Sequence, residues 1–142
     1  MAFQERGIWV DAVVTLCSFV VYSALVLVRA QGIPLHRVAY VAPMLWAIGI
    51  GILVVIVGRI AAGIGWPEDC GKTDARDLEI GRFGDRVGQS FLGLSGLAAL
   101  GLCMAEASHF WIANAIYLGF VVSVLVGSAM KLAAYRQGIP DL

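Results

Sequence analysis

Residues 73–90 read "TDARDLEIGRFGDRVGQS" and carry seven of the twenty formal charges of the chain: Asp74, Arg76, Asp77, Glu79, Arg82, Asp85 and Arg86. Such an island is either a catalytic cluster set in oil or a connector between membrane segments. The sequence on either side decides between them. The chain of 142 residues is 60% hydrophobic, with a mean hydropathy of +0.85, and only 14% of it is charged. Soluble domains carry about 25% charge. The apolar material suffices for several membrane spans and leaves no room for a soluble domain beside them.

A bilayer-spanning helix needs roughly 17 to 25 predominantly apolar residues. Four segments meet that length: Ile8–Val28, Val38–Ile60, Val87–Ala105 and Phe110–Leu132. The first exceeds the roughly 7 to 15 residues of a signal-peptide core. It closes in Arg29-Ala30-Gln31-Gly32 without a small-residue cleavage site, so it is read as retained. The expected fold is an all-α integral membrane four-helix bundle, one domain over 1–142, built as two transmembrane hairpins. The segment 61–86 connects them.

Lys and Arg placement sets orientation, because loops rich in these residues stay on the cytoplasmic side. Arg6, Arg59, Lys72, Arg76, Arg82, Arg86, Lys131 and Arg136 fall on one side; Arg29 and Arg37 fall on the other. Both termini and the connector are therefore expected to be cytoplasmic. Ten acidic and ten basic residues cancel, so no global field points to nucleic acid. Aromatic side chains fit the two interfaces: Trp9, Trp66 and Tyr135 on the basic side, Tyr40, Phe110 and Trp111 on the other.

The turns repeat one device. Gly32-Ile33-Pro34 and Gly138-Ile139-Pro140 each follow a span, where Gly takes the left-handed residue and Pro blocks continuation. Small residues recur every four positions in the fourth span, at Ala115, Gly119, Ser123 and Gly127, and build a smooth ridge. Close backbone approach over such residues drives helix association in lipid. Ser95, Ala99 and Cys103 form a second stripe, Ala47 and Gly51 a shorter third. Packing within the bundle is the expected use; homodimerisation through the fourth span is the alternative.

Several residues invite chemistry. Gly71-Lys72-Thr73 has the tail of a phosphate-binding loop, but position 66 is Trp66, the nearest earlier glycine is Gly65, and no strand precedes it. Nucleotide binding is excluded. Asp11 lies about one turn inside the first span, where a carboxylate suits the positive end of the helix or an ion pair. Intramembrane carboxylates also mark transport paths, and small multidrug transporters have four helices with a key acid in the first. Gln89 and Asn114 are the other polar groups near span ends. His36, Glu106 and His109 share the less basic side and have the chemistry of zinc or copper ligands, but no fourth ligand accompanies them. They are read as solvated turn residues. Cys17, Cys70 and Cys103 are dispersed, which supports neither a disulfide nor a zinc site, and are expected to be small buried residues.

Within the island, Asp74 suits a helix cap, with Asp77 and Glu79 in the first turns. Ile80, Phe83 and Val87 share one apolar face, while Arg76–Glu79 and Arg82–Asp85 have the spacing of i, i+3 ion pairs. A short amphipathic cytoplasmic helix is expected, leading into the third span. Its arginines, Arg76, Arg82 and Arg86, have the reach to meet lipid phosphates. The same segment resembles the cytoplasmic segment of small four-span bacterial membrane proteins of uncharacterised function. In those, Asp-Glu-Arg-Asp/Glu is followed by Ile and then by a basic or small residue. Asp74, Ala75, Arg76, Asp77, Ile80 and Arg82 match, with Ala75 where the pattern has Glu. The resemblance implies a multi-pass protein of a bacterial-type inner membrane and supplies no reaction.

The expectation is thus a non-enzymatic membrane protein without a cofactor, an oligomeric scaffold or accessory partner of another membrane or cytoplasmic protein. Asp74, Arg76, Asp77, Glu79, Arg82 and Arg86 would be its contact surface to lipid or partner. The alternative is a small dimeric transporter using Asp11 and Gln89.

Overall fold

A computed structural model describes residues 3–65 and 73–138. Four helices account for most of them: α1 (Phe3–Arg29), α2 (Val41–Gly65), α3 (Ala75–Met104) and α4 (His109–Gln137). There is no strand among the described residues. All four helices are long and apolar enough to cross a membrane, which fits a small four-span membrane protein. Trp66, Cys70, Gly71, Lys72, Ile139 and Pro140 lie outside the described residues.

The helix ends follow local chemistry. Gly32 (φ +80°) turns the chain after α1, and Gly138 (φ +86°) ends α4; both take the left-handed conformation that costs glycine least. Between α1 and α2, Leu35–Arg37 makes one 3-10 turn. Pro43 sits in the first turn of α2, where its missing N–H would have had no partner within the helix. Val38–Tyr40, expected at the start of the second span, precede α2. The tight turn from α3 to α4 needs a left-handed residue, and Glu106 supplies it at φ 53°.

The helices stand in the order α2, α1, α4, α3: α1 packs on α2 and on α4, and α4 packs on α3. The α1–α2 pair runs in opposite directions, since a methyl group on Gly51 would meet Ser18 and one on Gly58 would meet Val10. Large apolar side chains such as Trp46, Leu53, Leu97 and Met104 point outward, as a lipid-facing surface requires.

The charged island is not a separate helix. From Ala75 it forms the opening turns of α3, whose 30 residues extend about 45 Å at 1.5 Å per residue, against a hydrocarbon core of roughly 30 Å. The surplus length allows one helix to hold both the island and the span. Ile80 is fully buried, and Gly84 and Gly88 continue its face against α4.

Away from the island, Tyr22, Val26, Val38, Phe110, Tyr117 and Val121 form the buried core. Tyr22 and Tyr117 meet edge to face at 5.1 Å, and Tyr40 and Phe110 at 5.3 Å. The expected interfacial anchor Phe110 is thus a core residue, because Tyr40 and Trp111 box it in. Cys17 and Cys103, expected to be buried, are exposed on the outer faces of α1 and α3. In lipid a small apolar thiol is at ease on either side of a helix, so its chemistry does not select the interior.

Candidate functional site

At the basic end all four helices contribute to a half-open polar cleft of about 510 Å³. Its charged lining consists of Asp11 from α1, Arg59 from α2, Asp77, Arg82 and Asp85 from α3, and Lys131 from α4. The helix order explains the gathering, since each helix places its polar end at this level.

Asp11 is paired. Arg59 Nε donates to Asp11 Oδ1 at 3.2 Å while Nη2 donates to Oδ2, so the guanidinium grips the carboxylate with two prongs across α1 and α2. A forked pair of this kind adds geometric definition to the charge attraction. Lys131 Nζ donates to Asp85 Oδ1 at 2.6 Å and ties α4 to α3. Asp85 thus takes a partner from α4 in place of the expected Arg82, with Lys131 largely covered between the helices and the carboxylate itself exposed. Among the described residues neither Arg82–Asp85 nor Arg76–Glu79 forms an ion pair.

Asp77 faces inward. Tyr135 O–H donates to its Oδ1 at 2.6 Å, and its Oδ2 accepts the backbone N–H of Asp74 at 3.2 Å. One carboxylate thus fixes the start of α3 and holds the end of α4. Gln4 Nε2 donates to Thr73 Oγ1 at 3.3 Å and brings the start of α1 to the same cleft. Arg76, Glu79, Arg82 and Arg86 are exposed. A smaller cleft of about 230 Å³ is lined by Asp11, Asp85, Gln89, Ser128 and Lys131, so Asp11 and Gln89 border one space.

The ridge of α4 faces α3. A methyl group on Gly88 would come within 2.8 Å of the Ser123 carbonyl oxygen, and one on Gly127 within 3.1 Å of the Gly84 carbonyl oxygen. Gly119 opposes Ser95, and Ala115 is half-buried on the same helix. The α3 side of this seam runs through Gly84, Gly88, Ser95 and Ala99. Cys103, counted in that stripe from its spacing, stands outside it. His36, Glu106 and His109 are exposed, and no metal-holding group of three acidic, His or Cys residues occurs among the described residues.

Sequence reasoning missed the partners. Tyr22 O–H donates to Asn114 Oδ1 at 2.7 Å, and Asn114 Nδ2 donates to the Phe110 carbonyl at 2.8 Å. Arg59 and Lys131 entered the sequence reading only as basic residues. The available signal was depth: Arg59 and Lys131, like Asp11, fall within the ends of apolar segments, where a charge needs a partner.

The chain matches no family model, no curated protein and no solved structure. The resemblance of residues 73–90 therefore rests on those residues alone.

Proposed function

We propose that the chain is a non-enzymatic, multi-pass protein of a bacterial-type inner membrane, an oligomeric scaffold or accessory partner of another protein. In this reading α1–α2 and α3–α4 are two transmembrane hairpins, and the termini and residues 61–86 lie on the cytoplasmic side. The asymmetry of eight basic residues against two supports that orientation.

One observation carries the functional reading. The carboxylates Asp11, Asp77 and Asp85 each hold a partner from another helix. By contrast, Arg76, Glu79, Arg82 and Arg86 stand exposed and form no ion pair within the described residues. Charges that no internal contact uses are available to a partner. In the proposed orientation, a helix longer than the bilayer core would carry them to the cytoplasmic surface. Reversing Arg76, Arg82 and Arg86 to Glu together is expected to abolish partner recovery after crosslinking in native membranes, while the protein remains inserted. Unchanged recovery rejects this reading.

The shared cleft of Asp11 and Gln89 favours a second reading, a small dimeric transporter. Proton or cation flux into liposomes that Asp11→Asn abolishes would support it. Flux that is absent, or equal in the two proteins, rejects it.

A further inference from the structure

The polar cleft does not end at its charged walls. An apolar groove of about 490 Å³ runs between α1, α2 and α4, bordered by Val14, Ser18, Ile52, Ile56, Phe120 and Val124. Cleft and groove share no lining residue but follow one another by a single helical turn along α1, α2 and α4. Asp11 lies one turn from Val14 and Thr15, Arg59 one turn from Val55 and Ile56, and Ser128 one turn from Val124. Along α2 the groove spans Ala47 to Ile56, about 14 Å at 1.5 Å per residue. One leaflet is half of a hydrocarbon core of roughly 30 Å. The feature thus has a polar head at the membrane surface and an apolar channel about one leaflet deep.

The charges in the cleft define what the head would hold. Six charged groups line it, and four of them cancel in the pairs Asp11–Arg59 and Asp85–Lys131. Arg82 and Asp77 remain, one cation and one anion. Asp77 is met by the neutral hydroxyl of Tyr135 and a backbone N–H, and Arg76, whose charge also acts on Tyr135, forms no ion pair with it among the described residues. Arg82 has no ion-pair partner among the described residues. A complementary ligand brings one anionic and one cationic group and carries a hydrocarbon chain.

We propose that the cleft and groove together form a site for one zwitterionic glycerophospholipid with a primary ammonium headgroup. Arg82 meets its phosphate, Asp77 accepts from its ammonium, and one acyl chain lies along the groove between α1, α2 and α4. A guanidinium suits phosphate by its planar array of donors, and an ammonium suits a carboxylate with an unused lone pair. The inference does not depend on partner docking: Arg86 lies outside the cleft lining, so reversing it alone probes docking and leaves this site intact.

The test is native mass spectrometry of the full chain, released from micelles equilibrated with equimolar phosphatidylethanolamine and phosphatidylglycerol. Separate arms contain diacylglycerol, which lacks the phosphate, or glycerol 3-phosphate, which lacks the chains. One phosphatidylethanolamine per chain is expected, retained at least tenfold over phosphatidylglycerol, with neither fragment retained. Ile52→Trp, at an exposed position bordering the groove, is expected to lower retention at least tenfold. Asp77→Asn is expected to remove the preference between the two phospholipids, because Asp77 meets the ammonium that only one of them carries, whereas Arg82 meets the phosphate that both share. Circular dichroism and gel filtration on each variant confirm that the fold persists, and two variants on different helices guard against failure of either. A wild-type protein that retains no lipid, or retains both equally, overturns the proposal. So does undiminished retention in a folded Ile52→Trp protein, which would mark the lipid as ordinary annulus.

Discussion

Tyr22 and Asn114 join α1 to α4 through one hydrogen bond of 2.7 Å, from the phenol to Oδ1 of the amide. Tyr22 is 2% exposed and meets Tyr117 edge to face, so the polar contact is enclosed by the aromatic core. Tyr22→Phe keeps the ring and removes the donor. Interhelical hydrogen bonds in membranes contribute about 0.6 to 2 kcal/mol, and a loss in that range is expected in unfolding from micelles. A larger deficit should follow Asn114→Leu, because Tyr22 would then hold a buried hydroxyl without an acceptor.

Asp11→Asn should destabilise the chain by about 0.2 to 1 kcal/mol, the range of solvent-exposed ion pairs, since the Arg59 side chain is 53% exposed. Adding Arg59→Gln is expected to restore part of the loss. A double-mutant cycle, read by denaturation in micelles, measures the coupling; strictly additive losses would mean the pair contributes nothing.

Two glycines of α3 give opposite predictions. At Gly88 a methyl group meets a backbone carbonyl at 2.8 Å, which cannot move without separating the helices. Gly88→Ala should cost about 1 to 3 kcal/mol, the range of overpacked sites. At Gly93 nothing lies within 4 Å, and Gly93→Ala should gain up to about 1 kcal/mol from helix propensity alone. Thermal unfolding of both variants in one detergent separates the two effects.

A fluorescent reporter fused after Gln137 is expected to be active only if that end faces the cytoplasm. A reporter active only outside the cytoplasm should work when inserted in the Glu106–Ser108 turn. The reverse pattern would invert the proposed orientation and detach Arg76, Arg82 and Arg86 from any cytoplasmic partner.

The spans were legible in the sequence because crossing a bilayer is a demand on composition and length, which one dimension records. The ridge at Gly119, Ser123 and Gly127 was legible for a similar reason: four-residue spacing marks one helix face. Which helix it meets depends on Ser95, Gly84 and Gly88, and spacing names no partner. Lys131 and Asp85 are 46 residues apart, and the i, i+3 rule favoured Arg82 because it sees only one helix. Cys17 and Cys103 show the complementary limit. In water, apolar character predicts burial; in lipid both faces of a helix are apolar, so hydropathy does not distinguish neighbour from solvent.

The order α2, α1, α4, α3 also dictates a sequence of events during synthesis. α1 meets α2 as soon as about sixty residues have emerged, and the Asp11–Arg59 grip can close at that stage. The seam between α1 and α4, with Tyr22 against Asn114, joins residues 92 positions apart and must wait for nearly the whole chain. Contacts between such distant residues form late in assembly. Both seams of α4, to α1 and to α3, therefore wait for the last helix, and a ribosome stalled before α4 would leave behind an α1–α2 unit already stitched by its own ion pair.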